Sequence, residues 1–438
     1  MNDYKDIEFA GTGEIKRFQE AELCKLLQYL ADKSRFYGEM FRNHGIDISQ
    51  IKTLEDLRGI PFTTKKDLQL KNNDFMCVDN RQVVDYLTTS GTLGTPVIFA
   101  LTEKDLERLA LNEYLSFSCA GVTADDTVQL MCTMDKRFMC GLAWYVGLRK
   151  LGAGIIRVGS AVPEFQWDTI MRLKPTVLAL VPSFVKSLLK YADAHGIDYN
   201  NCSVKKIVCM GEAIYQHDGS YSLLAKDILS KWNVELYSAY ASTEMATSFT
   251  ECEYHKGGHH HPQLIICEIV DENLNPVEPG QYGELVITTL GVEAMPLLRF
   301  RTGDITCIYT GKCECGRNSF RIGPIVGRLN QMIKFKGTAL YPPAVFDVLD
   351  NAPYVENYFV RLQSDCDGLD HLVVEVGLKG GETKDSVFKD LKDRFRSKIR
   401  VTPEIVFESV DAIDKLNNQP MNRKIVKFVD EREKCCKK

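Results

Sequence analysis

Between residues 125 and 241, short apolar runs alternate with helix-like segments. The runs TVQLMCT (127–133), AGIIRVG (153–159), TVLALV (176–181), KKIVCM (205–210) and VELYSAY (234–240) are apolar nearly throughout, not at every second residue. That texture predicts parallel strands covered on both faces. The intervening LAWYVGLRKL, FQWDTIMRL, SFVKSLLKYADAHG and SLLAKDILSKW read as the covering helices. Strand–helix–strand order restricts this stretch to an open α/β sheet, and ligands of such sheets bind outside the carboxyl ends of the strands.

The texture changes after residue 262. LIICEIVD, YGELVITTL and DITCIYT are closely spaced strands joined by turn signals such as ENLNPVEPGQ, which predicts a β-rich subdomain over about 262–326. In the last hundred residues YFVRLQ and HLVVEVGLK alternate like half-exposed strands. Val387, Phe388, Leu391, Phe395 and Ile399 recur at helical spacing. This is a small α+β unit, and the boundary is expected near VGRLNQ (326–331), giving domains 1–326 and 327–438.

Composition narrows the function. Lys+Arg is 54 against 59 Asp+Glu, and the net charge of −5 argues against broad nucleic-acid binding while leaving room for a local basic cleft. The N-terminus lacks a basic segment followed by an apolar run, and no stretch reaches the roughly 18 apolar residues of a membrane span. A soluble, cytoplasmic protein is expected. Most of the 15 cysteines stand singly in apolar strings, as Cys132 and Cys209 do, and read as small buried hydrophobes.

Five stretches carry candidate chemistry. TSGTLGTP (89–96) has two glycines for close backbone approach and hydroxyls on Ser90, Thr92 and Thr95 that can donate to phosphate. It is not a Walker A loop, which ends in Gly-Lys-Ser/Thr, and alone it reads equally as a polar turn. YASTE (240–244), after the strand VELYSA, offers Tyr240 for stacking on a base, Thr243 for a phosphate and Glu244 for Mg²⁺. In RFRTGDIT (299–306) an Asp after a Gly turn can accept both ribose hydroxyls, or simply pair with arginine at a surface turn. In GRLNQMIKFKG (327–337) Arg328 can reach a ribose or phosphate, or belong to a basic linker. In NRKIVKFVDER (422–432) Lys424 precedes a short apolar strand.

Taken together and in order, these stretches resemble the adenylate-forming superfamily, and within it the phenylacetate–CoA ligase branch. The resemblance runs from GIPFTTKKDL (59–68) through SGTLGTP, GEA (211–213), YASTE, YGELVITTLGVEAMPLLRFRTGDIT and IVGRLNQMIKFKGTALYPP to RKIVKFVDER. It implies a large N-terminal adenylation domain of mostly parallel sheets flanked by helices, with the β-rich subdomain, and a small mobile C-terminal α+β lid hinged near 327–331. It implies a two-step reaction, in which a carboxylate attacks the α-phosphate of ATP and a thiol, normally coenzyme A, then displaces AMP. Charge gathers on phosphate in the first step, so donors, a metal and a lysine must converge there.

By the same resemblance Ser90, Gly91, Thr92, Gly94 and Thr95 wrap the β- and γ-phosphates. Gly211, Glu212 and Ala213 line the adenine pocket, and Tyr240 stacks on the base. Thr243 contacts the α-phosphate and Glu244 the Mg²⁺. Asp304 binds the ribose with help from Arg328, and Lys424 stabilises the α-phosphate during adenylation. The chain departs from the pattern at four places: the loop lacks its usual lysine, Ala241 stands for a glycine, Asn330 for the hinge acid and Arg423 for the glycine before Lys424.

CEYHKGGHHHP (252–262) and CEC (313–315) bring thiols and imidazoles, the usual ligands of structural zinc, to two β-rich segments. Cys313 and Cys315 can clamp one metal, and Cys252 with one histidine completes four ligands; the resemblance points to His259. The other reading is unpaired cysteines beside a polar loop. Phe138, Trp144 and Tyr145 either wall a pocket for a flat acid or belong to the core of their helix. The expected partners are a small-molecule carboxylic acid, first an aryl or arylacetic one, with ATP and coenzyme A, no nucleic acid and no membrane. A homodimer is allowed. The alternatives are acyl transfer to a carrier protein or amine, and a non-catalytic, zinc-stabilised nucleotide-binding relative.

Overall fold

The computed structural model begins with two helices, α1 (Thr12–Lys33) and α2 (Arg35–Asn43). They part at Ser34, whose extended backbone breaks the first helix and whose hydroxyl caps the second by accepting from the Tyr37 N–H. Helix α3 (Lys65–Leu70) starts in a reciprocal capping box between Thr64 and Asp67. Strands β1 (Val83–Thr88) and β2 (Ile98–Thr102) pair antiparallel, and α4 (Glu103–Cys119) follows from a second capping box, Thr102 with Asp105. The structure describes residues 6–89, 97–216, 218–331, 333–335, 338–364, 370–418 and 426–432.

The expected α/β alternation is present as β3 (Thr127–Leu130), α5 (Met139–Leu151), β4 (Gly154–Arg157), α6 (Pro163–Leu173), β5 (Val177–Leu180), α7 (Pro182–His195), β6 (Lys206–Met210), α8 (Leu223–Lys231), β7 (Glu235–Ser242) and β8 (Thr247–Thr250). The strands form one sheet in the order β4-β3-β5-β6-β7-β8, parallel up to β7, with β8 returning antiparallel to it. Prolines at the first turns of α6 and α7 start those helices, and left-handed Gly152 and Gly196 end α5 and α7. Both faces of the sheet are buried. Leu178 and Leu180 of β5 pack with Trp167, Leu188 and Trp232, while Val177 and Ala179 pack with Phe117, Trp144 and Leu148. This is why the strands read as apolar runs: alternate side chains enter two different cores.

The β-rich part comprises β9 (Gly258–His259), β10 (Ile265–Val270), β11 (Gly283–Thr289), β12 (Phe300–Thr306), β13 (Ile308–Tyr309) and β14 (Arg321–Ile322). Strands β10, β11 and β12 lie side by side, and β9, β14 and β13 form a small second sheet. The segment RFRTGDIT is strand, not the turn expected from its glycine: Gly303 takes a left-handed φ of +77° inside β12. A lone glycine marks such an irregularity as well as it marks a turn.

The chain separates into two compact units, Met1–Thr302 with Thr306–Pro324, and Gly303–Ile305 with Ile325–Lys438. In the second, β15 (Gly327–Arg328) pairs with Asp304 and Ile305, and β16 (Ile333–Phe335) pairs with β17 (Thr338–Leu340). Then come α9 (Pro342–Asp350), β18 (Val355–Ser364), β19 (Asp370–Leu378), α10 (Lys384–Ile399), β20 (Glu404–Glu408), α11 (Val410–Asn417) and β21 (Phe428–Asp430). Their sheet runs β20-β19-β18-β21. Val387, Leu391, Phe395 and Ile399 bury one face of α10 in its core, while Phe388 stays 37% exposed. No described helix is long and apolar enough to cross a membrane.

Candidate active site

Two of the motifs meet at the carboxyl ends of neighbouring parallel strands. Gly211, Glu212 and Ala213 follow β6, and Tyr240 to Glu244 close β7, whose Ala239 pairs with Met210 of β6. Such a strand-end crevice is where an open α/β sheet binds its ligand. Gly211 adopts φ +80°, which turns the chain sharply off the strand, and residues 211–213 are exposed. The Glu212 carboxylate accepts from the backbone N–H and the hydroxyl of Ser183, both at 2.9 Å, tying this loop to the start of α7.

Strand β7 extends past the VELYSA core through Ser242, so Tyr240 lies in the strand. Its ring stacks near Phe249 of β8, with centroids 6.0 Å apart. Thr243 and Glu244 occupy the tight turn between β7 and β8, and Ala246 closes it with φ +45°. The Nζ of Lys65 stands 3.5 Å from a Glu244 carboxylate oxygen. Lys65 is the first residue of α3, and Thr63 just before it is stitched to β12 by paired backbone hydrogen bonds with Arg299 and Arg301. Sequence reasoning passed over Lys65, although the quoted GIPFTTKKDL contains it; a lysine in the first turn of a short helix gives no sign of facing a carboxylate.

In the second unit Asp304 is buried, and its carboxylate accepts from the Arg328 Nε at 2.8 Å across the β12–β15 pair. Ser90, Gly91, Thr92, Gly94, Thr95 and Lys424 lie outside the described residues. Thr89, next to the first five in the chain, donates its N–H to the Val97 carbonyl at 3.0 Å, and its hydroxyl accepts from the Val97 N–H at 3.1 Å.

Trp144 takes the core role of the two open to it, packed edge-on against Phe117 at 5.8 Å and 4% exposed. Tyr145 is half-buried beneath the Arg157 guanidinium, 5.5 Å from its ring centre, and Phe138 is half-buried at the start of α5. The three rings thus stand in different surroundings, Trp144 in the core and Phe138 and Tyr145 half-buried.

The metal-ligating atoms of Cys252, His259, Cys313 and Cys315 all lie within 4.8 Å of one another. Cys252 and Cys313 sulfurs are 3.7 Å apart, and the His259 Nε2 is 3.4 Å from Cys252 and 3.5 Å from Cys315. Zinc bonds of about 2.3 Å to sulfur and about 2.0 Å to nitrogen place tetrahedral ligands roughly 3.5–3.8 Å apart, so the four groups fit the ion. Burial lowers the His259 pKa to about 3, keeping the imidazole neutral as a ligand must be. Around them Arg317 donates to the Cys315 sulfur at 3.5 Å and to Glu8 at 2.7 Å. Burial alone would raise the Glu8 carboxyl, but His261 and Arg317 hold it down at about 2.

The family model for AMP-binding enzymes matches residues 39–294. Curated relatives include the phenylacetate–coenzyme A ligase of Thermus thermophilus, 30% identical over 81% of this chain and 79% of that protein, and that of Aromatoleum evansii, 27% identical over 92% of each. Among solved structures, a 2-hydroxyisobutyryl-CoA ligase in complex with 2-HIB-AMP in the postadenylation state superposes with a TM-score of 0.83 at 21% identity, covering 98% of this chain and 92% of that one; it shares the fold. The chain belongs to the AMP-binding enzymes and, among them, to the phenylacetate–CoA ligase family. It is an ATP-dependent acid–CoA ligase that works through an acyl-adenylate.

Proposed function

We propose that the acid is an aryl or arylacetic acid and that the residues gathered at the strand ends carry its activation. The convergence of Gly211–Ala213 and Tyr240–Glu244 on adjacent strands β6 and β7 is the observation behind the activation site, and the likeness to phenylacetate–coenzyme A ligases is behind the acid class. In it, residues 211–213 line the adenine site, Tyr240 stacks on the base and Thr243 binds the α-phosphate. Glu244 would hold Mg²⁺, which would spread the charge of the departing pyrophosphate. Asp304, oriented by Arg328, accepts the ribose hydroxyls. The roles of the Ser90–Thr95 loop and of Lys424 rest on the resemblance of their motifs.

The carboxylate oxygen bonds to the α-phosphorus as the bond to pyrophosphate breaks. The coenzyme A sulfur then bonds to the acyl carbon, AMP leaves with the electron pair of the old acyl–oxygen bond, and the thiol proton passes to solvent. Residues 327–438 are the lid that moves between these steps, with its hinge near 327–331. Lys65 supplies a cation beside Glu244, in a site whose phosphate loop has Thr95 in place of lysine. Cys252, His259, Cys313 and Cys315 would hold a zinc through four protein ligands, which would make its work structural.

A panel of carboxylic acids, scored for AMP and pyrophosphate release with and without coenzyme A, tests this reading. Phenylacetate or a related aryl acid should release both products, with AMP turnover depending on coenzyme A. Release confined to aliphatic acids would overturn the substrate class, and turnover supported equally by an amine would overturn the acceptor.

A further inference from the structure

The turn that carries Thr243 and Glu244 is held from behind by one buried arginine. Arg108, on the second turn of α4, is 4% exposed. Its Nη1 donates to the Ala246 carbonyl at 2.6 Å and its Nη2 to the Thr247 hydroxyl at 3.1 Å. Nη2 also donates to the Leu264 carbonyl and Nε to the Leu290 carbonyl, both at 2.6 Å. Among the described residues no carboxylate lies within ion-pair distance of this guanidinium. A buried charge is costly, and here four hydrogen-bonded oxygens, with the Asp105 carboxylate as a more distant favourable charge, offset that cost. One helical turn earlier, Asp105 accepts from the backbone N–H groups of Glu293 and Ala294 at 2.6 and 3.0 Å. One edge of α4 thus buckles three chain segments together, and one of them is the Glu244 turn.

That turn needs a buckle. Ala246 sits at φ +45°, a conformation that a residue with a Cβ adopts at a cost. Its carbonyl is the group that Arg108 grips, two residues from Glu244.

We propose that Arg108 is a positioning residue of the ligase: it holds the Thr243–Ala246 turn in the strained form that presents Glu244 to the metal of Mg·ATP. The proposal rests on the reading of Glu244 as the metal ligand. Calorimetric titration with ATP, once with Mg²⁺ and once with EDTA, separates the two, because neither titration needs the acid.

In the parent enzyme Mg²⁺ should tighten ATP binding. Arg108→Gln should erase about tenfold of that gain while changing metal-free ATP affinity less than twofold, and Arg108→Lys should recover part of it. A general structural role would weaken both titrations alike, and that result overturns the proposal. Thr247→Val removes one of Arg108's acceptors with little change of shape, together with the hydroxyl's own bond to the Met245 carbonyl at 3.1 Å, so an unchanged Mg²⁺ gain there decides against the proposal even if the Arg108 variants do not fold. A smaller loss of the same Mg²⁺ gain supports the proposal and an unchanged gain overturns it. Glu244→Gln reads the underlying assignment: if it keeps the full Mg²⁺ gain, the metal-ligand role itself fails. If it loses the gain while Arg108→Gln and Thr247→Val keep it, only the positioning role fails.

Discussion

Single residues in this chain are decided by what packs over them. Glu113 of α4 lies fully buried between α4 and α5, where Gly147 leaves it room: a Cβ on Gly147 would come within 2.1 Å of the Glu113 Cβ. One carboxyl oxygen accepts from Asn112 and Ser248, and the other, among the described residues, has no hydrogen-bond partner. Burial pushes its pKa up to about 8, against the smaller opposing effect of those two hydrogen bonds. The folded state thus keeps a proton that the unfolded chain sheds near the ordinary carboxylate value. Stability from this group is therefore fully present below about pH 4.5 and falls as pH rises toward 8. Thermal unfolding should show the parent losing several degrees between pH 5.5 and 8.5, while Glu113→Gln loses clearly less; equal losses in both would refute the buried proton. Nothing around position 113 in the sequence signals this, because an Asn-Glu pair on a helix reads as solvated. Arg108 and Lys65 were illegible for the same reason. Long charged side chains look alike in sequence whether they face water, a carboxylate or three carbonyls and a hydroxyl.

At the scale of elements, the strands were the most legible part. Runs buried on both faces betray themselves by composition, and every strand expected over 125–241 is found in the sheet. Gly303 misled because its left-handed backbone sits inside β12, where the neighbouring strands keep the chain extended. The cysteine–histidine cluster lies between these cases. Its residue types were visible, but its shape depends on β9 pairing with β14 to set His259 beside the CEC knuckle. Metal analysis should find one zinc per chain, and Cys313→Ser should lose it and unfold several degrees lower. A protein purified from zinc-replete medium without zinc would count against the site. The Arg317 contact to Cys315 fits a site of three thiolates, whose excess negative charge over Zn²⁺ is one.

For the molecule as a whole, the two half-reactions are expected to draw on different groups. In the proposed reading the charge of Lys424 matters only while pyrophosphate departs. Lys424→Ala should slow acid-dependent pyrophosphate exchange on the order of 10²-fold or more, the scale of losing one transition-state donor. ATP binding and thioester formation from a preformed acyl-adenylate should stay within a few-fold of the parent. Full exchange activity in that variant would remove Lys424 from the mechanism. The sequence by itself determined the α/β class, the change of texture after residue 262 and the identity and order of the motifs. These are properties of local periodicity and residue type, and they survive without knowing what lies opposite. Only the tertiary structure decided that Trp144 is core, that Lys65 faces Glu244, that Asp304 pairs with Arg328 and that one buried guanidinium grips the turn beside the strand ends. Each of these joins residues from 24 to more than a hundred positions apart in the chain, and a hydrogen bond or a contact across such a distance leaves no mark on either local sequence.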